Sequence, residues 1–331
     1  MSLLLNTKCR NEYTFEGYPL LRKIASKLAS ILNFFEKPLI EYYCKQSTQY
    51  QPIFIIGVPR SGSTILFQVI TNTFDVLYPT NLVDIFQKNF FLGFIISETL
   101  LSNRAHNCFT SFNGRTYHCG LNAPNECEDL FSNWILDFKN YIPPNKIPKT
   151  TIQEIKQIIY SVINKYKRSI IFKNLRFSLQ LELISVIAPN SKFIFIKRNP
   201  LYTSQSIMLA KRREGFSENK VWYLRPSNFK GLEILNPFEQ TVKQVFFLEK
   251  QIHMDLSLFP NENHLIIKYE DMFNNFESLL KEVHKFVGQN IKIRGKIKNP
   301  FLKNNNNQKL NDEDFNILKR EVNRLDWDEY S

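Results

Sequence analysis

A P-loop-type parallel α/β sheet with helices on both faces is the fold this sequence predicts, and three observations predict it. Four short apolar runs, at 52–56, 169–172, 192–196 and 264–267, read as strands buried on both sides. Segments with apolar residues at helical spacing separate them, and that alternation builds a parallel sheet. The first run passes directly into a glycine-bracketed turn and a helix start, at the carboxyl edge where ligands bind such sheets.

Taken in order, residues 18–45 carry Leu20, Leu21, Ile24, Leu28, Ile31, Leu32 and Phe35 with lysines between them, which predicts an amphipathic helix. Its expected role is packing, with membrane contact as the alternative. Residues 1–49 are therefore read as an N-terminal helical segment packed on an α/β domain of residues 50–331. A helix over 64–74 follows the first strand, then one over 82–101 and a long polar passage from 102 to 129, a kind of segment that usually serves a site. Further helices are predicted at 151–165, 178–187, 201–213, 238–257 and 275–287, with an irregular stretch at 214–236. Asn304–Asn307 reads as a solvated low-complexity loop.

The turn after the first strand, GVPRSGST, nearly matches the phosphate-binding pattern GxxxxGK(S/T), but Ser63 stands where lysine is required. In a nucleotide triphosphatase that lysine reaches the β- and γ-phosphates, so its absence argues against triphosphate hydrolysis. Backbone N–H groups of Ser61, Gly62, Ser63 and Thr64 can still cradle an anion, and Arg60 supplies a fork-shaped permanent cation. Arg198 follows the third strand and Ser206 lies eight residues on in the next helix, a charge and a hydroxyl placed to close on a second anion. The fourth strand runs into Tyr269, Glu270 and Asp271, where the tyrosine faces either a nucleobase or the core.

Composition bounds the function. With 43 basic and 31 acidic side chains the net charge is +12, which favours an acidic partner: a nucleotide, a nucleic acid or a membrane surface. The five cysteines are odd in number and lack CxxC spacing, so neither a disulfide framework nor a zinc site is expected, and the compartment is read as reducing and cytoplasmic. The N-terminus does not read as a signal peptide, and the apolar run 90–96 is too short to span a bilayer.

The ordered triple resembles the sulfotransferases that use 3′-phosphoadenosine-5′-phosphosulfate, particularly the bacterial and carbohydrate-type branch whose loop reads PRSGST or PRSGTT. The likeness runs through most of residues 50–290, including GLNAPNE at 120–126, FKNLRF at 172–177 and the stretch around Trp222. It implies that Arg60–Thr64 hold the 5′-phosphosulfate, that Arg198 and Ser206 grip the 3′-phosphate, and that Tyr269 lies near the adenine. It also implies sulfuryl transfer to a hydroxyl or amine, without a metal, on a carbohydrate or small-metabolite acceptor. Lys173 is a candidate second cation near the donor, and the RGK segment at 294–296 is similar to a basic loop over the 3′-phosphate, which makes Arg294 a further candidate.

A general base must take the acceptor proton. The position at which the protein-tyrosine branch places its glutamate holds Asn81 here, leaving Asp84, one turn on, and His118, in the polar passage, as candidates. Rival readings are a magnesium-dependent nucleotide kinase, disfavoured by Ser63; a nucleic-acid-binding protein, disfavoured by phenylalanines in core-like patterns; and a noncatalytic relative that binds donor without turnover.

Overall fold

Phenylalanine and isoleucine alternate along the central strands, and the alternation sorts the core into two layers. In the computed structural model, which describes residues 17–101, 104–112, 114–128, 130–131, 140–227, 231–288, 291–294 and 303–329, strands β1 (Ile53–Gly57) and β3 (Lys192–Lys197) lie side by side. Successive side chains on a strand point to opposite faces. Phe54 therefore stacks on Phe172 of β2 (Ile171–Lys173) and on Phe193, at 5.4 and 5.8 Å between ring centroids, on one face. Ile53, Ile55, Ile194 and Ile196 fill the other, with Ile267 of β4 (His264–Lys268). Helices α4 (Phe90–Leu101), α5 (Lys149–Tyr166), α6 (Leu181–Ile187) and α8 (Pro237–Leu256) cover the phenylalanine layer. The isoleucine layer is covered by α2 (Ser63–Thr73) and by α10 (Phe276–Val287), which follows the one-turn α9 (Asp271–Asn274).

All pairings in the sheet are parallel, in the order β2-β1-β3-β4, so the segments that leave β1, β2 and β3 emerge together at one edge. The chain moves from β1 outward in both directions, which opens a crevice there. Lys173 lies inside β2 rather than just past a strand at 169–172.

The helix expected over 82–101 is broken into α3 (Asn81–Ile85), a tight turn at Gln87–Asn89, and α4. The break is held from outside: Glu36 of α1 (Pro19–Cys44) accepts from Asn89 Nδ2 and from the Leu92 amide, both at 3.0 Å. A carboxylate from another helix thus satisfies an amide in the first turn of α4. Burial raises the Glu36 pKa, while these hydrogen bonds oppose the rise. The inner face of α1 rests on α5, with Leu39, Ile40 and Tyr43 against the phenylalanine layer.

The expectation for the cysteines is corrected here. Cys108 and Cys119, for which no disulfide was expected, are joined by one across eleven residues. Spacing alone gave no sign of the pair, because the polar passage brings it together by wrapping around Asn81. The Asn81 amide donates to Thr116 O and Gly120 O at 3.1 and 2.8 Å and accepts from Asn125 Nδ2 at 2.8 Å. Helix α11 (Asp312–Asn323), which the sequence reading did not anticipate, packs Leu318 and Val322 against Val242 of α8. Among the described residues no helix is long and apolar enough to cross a membrane.

Candidate functional site

The loop after β1 is shaped by two left-handed residues, Arg60 at φ 72° and Gly62 at φ 93°. Gly62 caps α2 without any side-chain hydrogen bond, so the first turn presents backbone N–H groups where anions are favoured. The Tyr269 ring lies directly on Gly62, and a Cβ built there would collide with it. Gly62→Ala combines that overlap with a positive φ and is expected to lower stability by about 2–4 kcal/mol, read in a denaturant melt. An unchanged midpoint would show that the loop and ring are not locked together.

Arg198, at the end of β3, joins the same cluster. Its guanidinium lies 4.5 Å from the Tyr269 ring centroid, and Nη1 donates to Arg60 O at 3.0 Å. Arg60 Nε in turn donates to Ser206 Oγ at 3.0 Å, from the first turns of α7 (Pro200–Arg213). Four residues from three separate segments thus interlock at the sheet edge. Burial, then Arg213 and Arg198, push the Arg60 pKa down; burial does the same to Arg198, against Tyr269 and Glu270. Guanidinium is basic enough to stay charged regardless.

A cavity of about 1020 Å³ opens over this cluster. Arg60, Gly62, Ser63, Thr64, Arg198, Ser206 and Tyr269 line one end, and the lining carries more Lys and Arg side chains than carboxylates, which suits an anion. Ser61 does not line it: its hydroxyl is buried beneath the loop, with no hydrogen-bond partner among the described residues.

Lys173–Glu126 and Arg22–Asp84 are ion pairs whose members line the same cavity. Lys173, 4% exposed, is paired with Glu126, and a Cβ built on Gly114 would meet Glu126 Oε1 and come within 3.7 Å of Thr64 Oγ1. Glu126 therefore sits beside the anion loop. Burial raises its pKa above the usual carboxylate range, and Lys173 partly offsets this. Asp84, 1% exposed, also lines the cavity, but it is paired with Arg22 of α1 and accepts from Tyr117 Oη at 3.2 Å. Tyr117 is pushed up to about 12 by burial and then by Asp84.

Two sequence candidates lie elsewhere. His118 does not line the cavity; its Nε2 pairs with Thr110 Oγ1 at 3.0 Å on the turn carrying the disulfide. His118 and the two sulfurs fall within 4.8 Å of one another, but sulfurs bonded to each other are not thiolate ligands. Arg294 does not line the cavity either. Its guanidinium donates to Thr71 O at 2.5 Å and Val76 O at 3.3 Å and pairs with Asp75 at 3.2 Å, fastening the far end of α2. Residues 295 and 296 of the RGK segment lie outside the described residues.

Sequence reasoning missed Arg22, Glu126 and the asparagine tract. That tract is no free loop: Asn306 Oδ1 accepts from Arg198 Nε at 2.8 Å, Asn305 O accepts from Nη2 at 3.0 Å, and the Asn305 amide donates to Tyr269 Oη at 3.3 Å. Only Glu126 had a signal, as the last residue of the GLNAPNE segment.

The family model described as Sulfotransferase family matches residues 52–292. No curated protein matches the chain significantly. Among solved structures, a sulfotransferase from Mycobacterium avium is 11% identical, with 81% of this chain and 73% of that one covered and a TM-score of 0.50. One from Mycobacterium tuberculosis H37Rv is 10% identical, covering 92% and 84%, with a TM-score of 0.48. The sulfotransferase domain from the curacin biosynthetic pathway is 16% identical, covering 78% and 80%, with a TM-score of 0.43. At these identities the likeness concerns the fold.

Proposed function

Because the chain belongs to the sulfotransferase family, we propose that the sulfuryl group it transfers comes from 3′-phosphoadenosine-5′-phosphosulfate and goes to a hydroxyl or amine of a carbohydrate or small metabolite. The observation that carries the donor reading is the interlock of Arg60, Ser206, Arg198 and Tyr269 at one end of the cavity. Two guanidinium groups, bare helix-start amides and an aromatic ring suit a nucleotide with two separate anionic groups. No lysine is needed at Ser63, because a sulfuryl group carries less charge than a phosphoryl group, and no divalent metal is part of this reading.

The donor supplies a sulfuryl group already activated as a mixed anhydride with phosphate. The acceptor oxygen or nitrogen bonds to sulfur as the anhydride S–O bond breaks, and the electron pair stays on the bridging oxygen. Arg60 and the amides of Gly62, Ser63 and Thr64 neutralise that charge, with Lys173 as the second cation. Glu126 takes the acceptor proton. It is preferred to Asp84, because both carboxylates are ion-paired but Glu126 sits beside Thr64 of the anion loop, and to His118, which lies off the cavity. Arg22 belongs to the N-terminal segment, so α1 and the α/β domain act as one unit around the acceptor end.

Titration calorimetry with 3′-phosphoadenosine 5′-phosphate and with ATP, each with and without magnesium, tests the donor. Tighter, metal-independent binding of the bisphosphate is expected; preference for magnesium-ATP would overturn the reading. The cytoplasmic location belongs to the same reading, and Cys108–Cys119 weighs against it, since disulfides persist mainly in oxidising compartments. Alkylation of the chain from intact cells decides: a cytoplasmic protein should show modified thiols at Cys108 and Cys119.

A further inference from the structure

We propose that the outer face of α1 docks on a membrane surface, and that its partner is a bilayer bearing anionic headgroups. Leu20, Ile24, Leu28, Ile31, Phe34 and Phe35 are all exposed, Phe34 at 77% and Ile31 at 60%. At 3.6 residues per turn these positions, with Leu21 and Tyr42, fall within about 140° of the helix circumference. The opposite arc holds Arg22, Ala25 and Glu36, which face the protein. Scattered apolar residues on a surface need no explanation, but a continuous stripe along a 26-residue helix does.

Charge selects the partner. Lys23, Lys27 and Lys37, all exposed, run along one edge of the stripe, with Glu41 the acidic group on that edge. Lys88 adds a cation beside it, its Nζ donating to Ser26 Oγ at 2.9 Å. An apolar face flanked by lysines is the pattern of a helix lying in the plane of a lipid interface, its rings among the acyl chains and its cations among the headgroups. A second copy of a chain with net charge +12 would bring like charge to that edge. Docked in this way, α1 turns Arg22, and with it the acceptor end of the cavity, toward the protein side of the interface.

The test is co-sedimentation of the full chain with phosphatidylcholine vesicles, with and without phosphatidylserine. Sedimentation with the phosphatidylserine vesicles is expected, weakening as salt is raised. The double variant Ile31→Asp, Phe34→Asp should lose about tenfold or more of that binding, and Lys23→Glu, Lys27→Glu should lose the preference for phosphatidylserine. Both should keep the wild-type melting midpoint and nucleotide binding, because all four side chains face solvent. No sedimentation of the wild type, or undiminished sedimentation of the Asp variant, overturns the proposal. So does a wild-type dimer that the Asp variant turns to monomer without vesicle binding. The readout is lipid partition, so it stands or falls apart from the donor assignment.

Discussion

Replacing Glu126 by glutamine is expected to lower the turnover number of sulfuryl transfer by about 10²- to 10⁴-fold, the span that general-base catalysis usually supplies. Glutamine keeps the shape and a hydrogen bond to Lys173 but cannot take a proton. Affinity for 3′-phosphoadenosine 5′-phosphate should change little, which separates proton removal from donor binding. The pH profile gives an independent reading. Burial raises the Glu126 pKa, and the carboxylate is the active form, so wild-type turnover should fall as the medium is acidified through that raised value. The glutamine variant should lack this limb. If its limb persists, or its turnover is unchanged, another group removes the proton and Glu126 merely balances Lys173. Asp84→Asn serves as the comparison: through its contacts with Arg22 and Tyr117 it should alter acceptor affinity more than the shape of the profile.

The second large effect is expected at Arg198. Removing a charge-assisted, forked contact to an anion costs about 3 kcal/mol, so Arg198→Ala should weaken binding of 3′-phosphoadenosine 5′-phosphate about 100-fold in calorimetry. Arg198→Lys keeps the charge but not the planar fork, nor its seat over the Tyr269 ring, and should recover only part of the loss. The diagnostic contrast is a ligand without the 3′-phosphate. For 5′-AMP the alanine variant should lose about tenfold less than it does for the bisphosphate. Equal losses for the two ligands would mean that Arg198 supports the loop through Arg60 O and does not grip the 3′-phosphate.

How much of this was legible depends on whether a feature is local. The inner strands are short apolar runs whose burial shows directly in their composition, and the loop from Arg60 to Thr64 is one continuous segment; the edge strand β4 departs from that reading, because it alternates buried and exposed residues and leaves Ile266 48% exposed. Arg198 and Tyr269 could be placed at strand ends because a parallel sheet delivers its carboxyl ends to one edge. What could not be read was pairing across the chain. Lys173 meets Glu126 over 47 residues and Arg22 meets Asp84 over 62, and no periodicity links those positions. The split between α3 and α4 had the same origin, since Glu36 acts from a different helix. Arg294 was misplaced because a three-residue likeness says nothing about which backbone carbonyls will take its guanidinium, and those lie at the back of α2.

The asparagine tract also limits what Arg198 can offer an incoming group. A guanidinium carries five N–H bonds. Three of them already point at Asn306 Oδ1, Arg60 O and Asn305 O, so two remain uncommitted among the described residues. A tetrahedral dianion arriving there meets a partly occupied receptor, and its measured affinity is the difference between what it gains and what Asn305 and Asn306 give up. Asn305 holds its N–H through a backbone carbonyl, so the side chain that can be removed is that of Asn306, and Asn306→Ala should therefore tighten the bisphosphate and slow its departure.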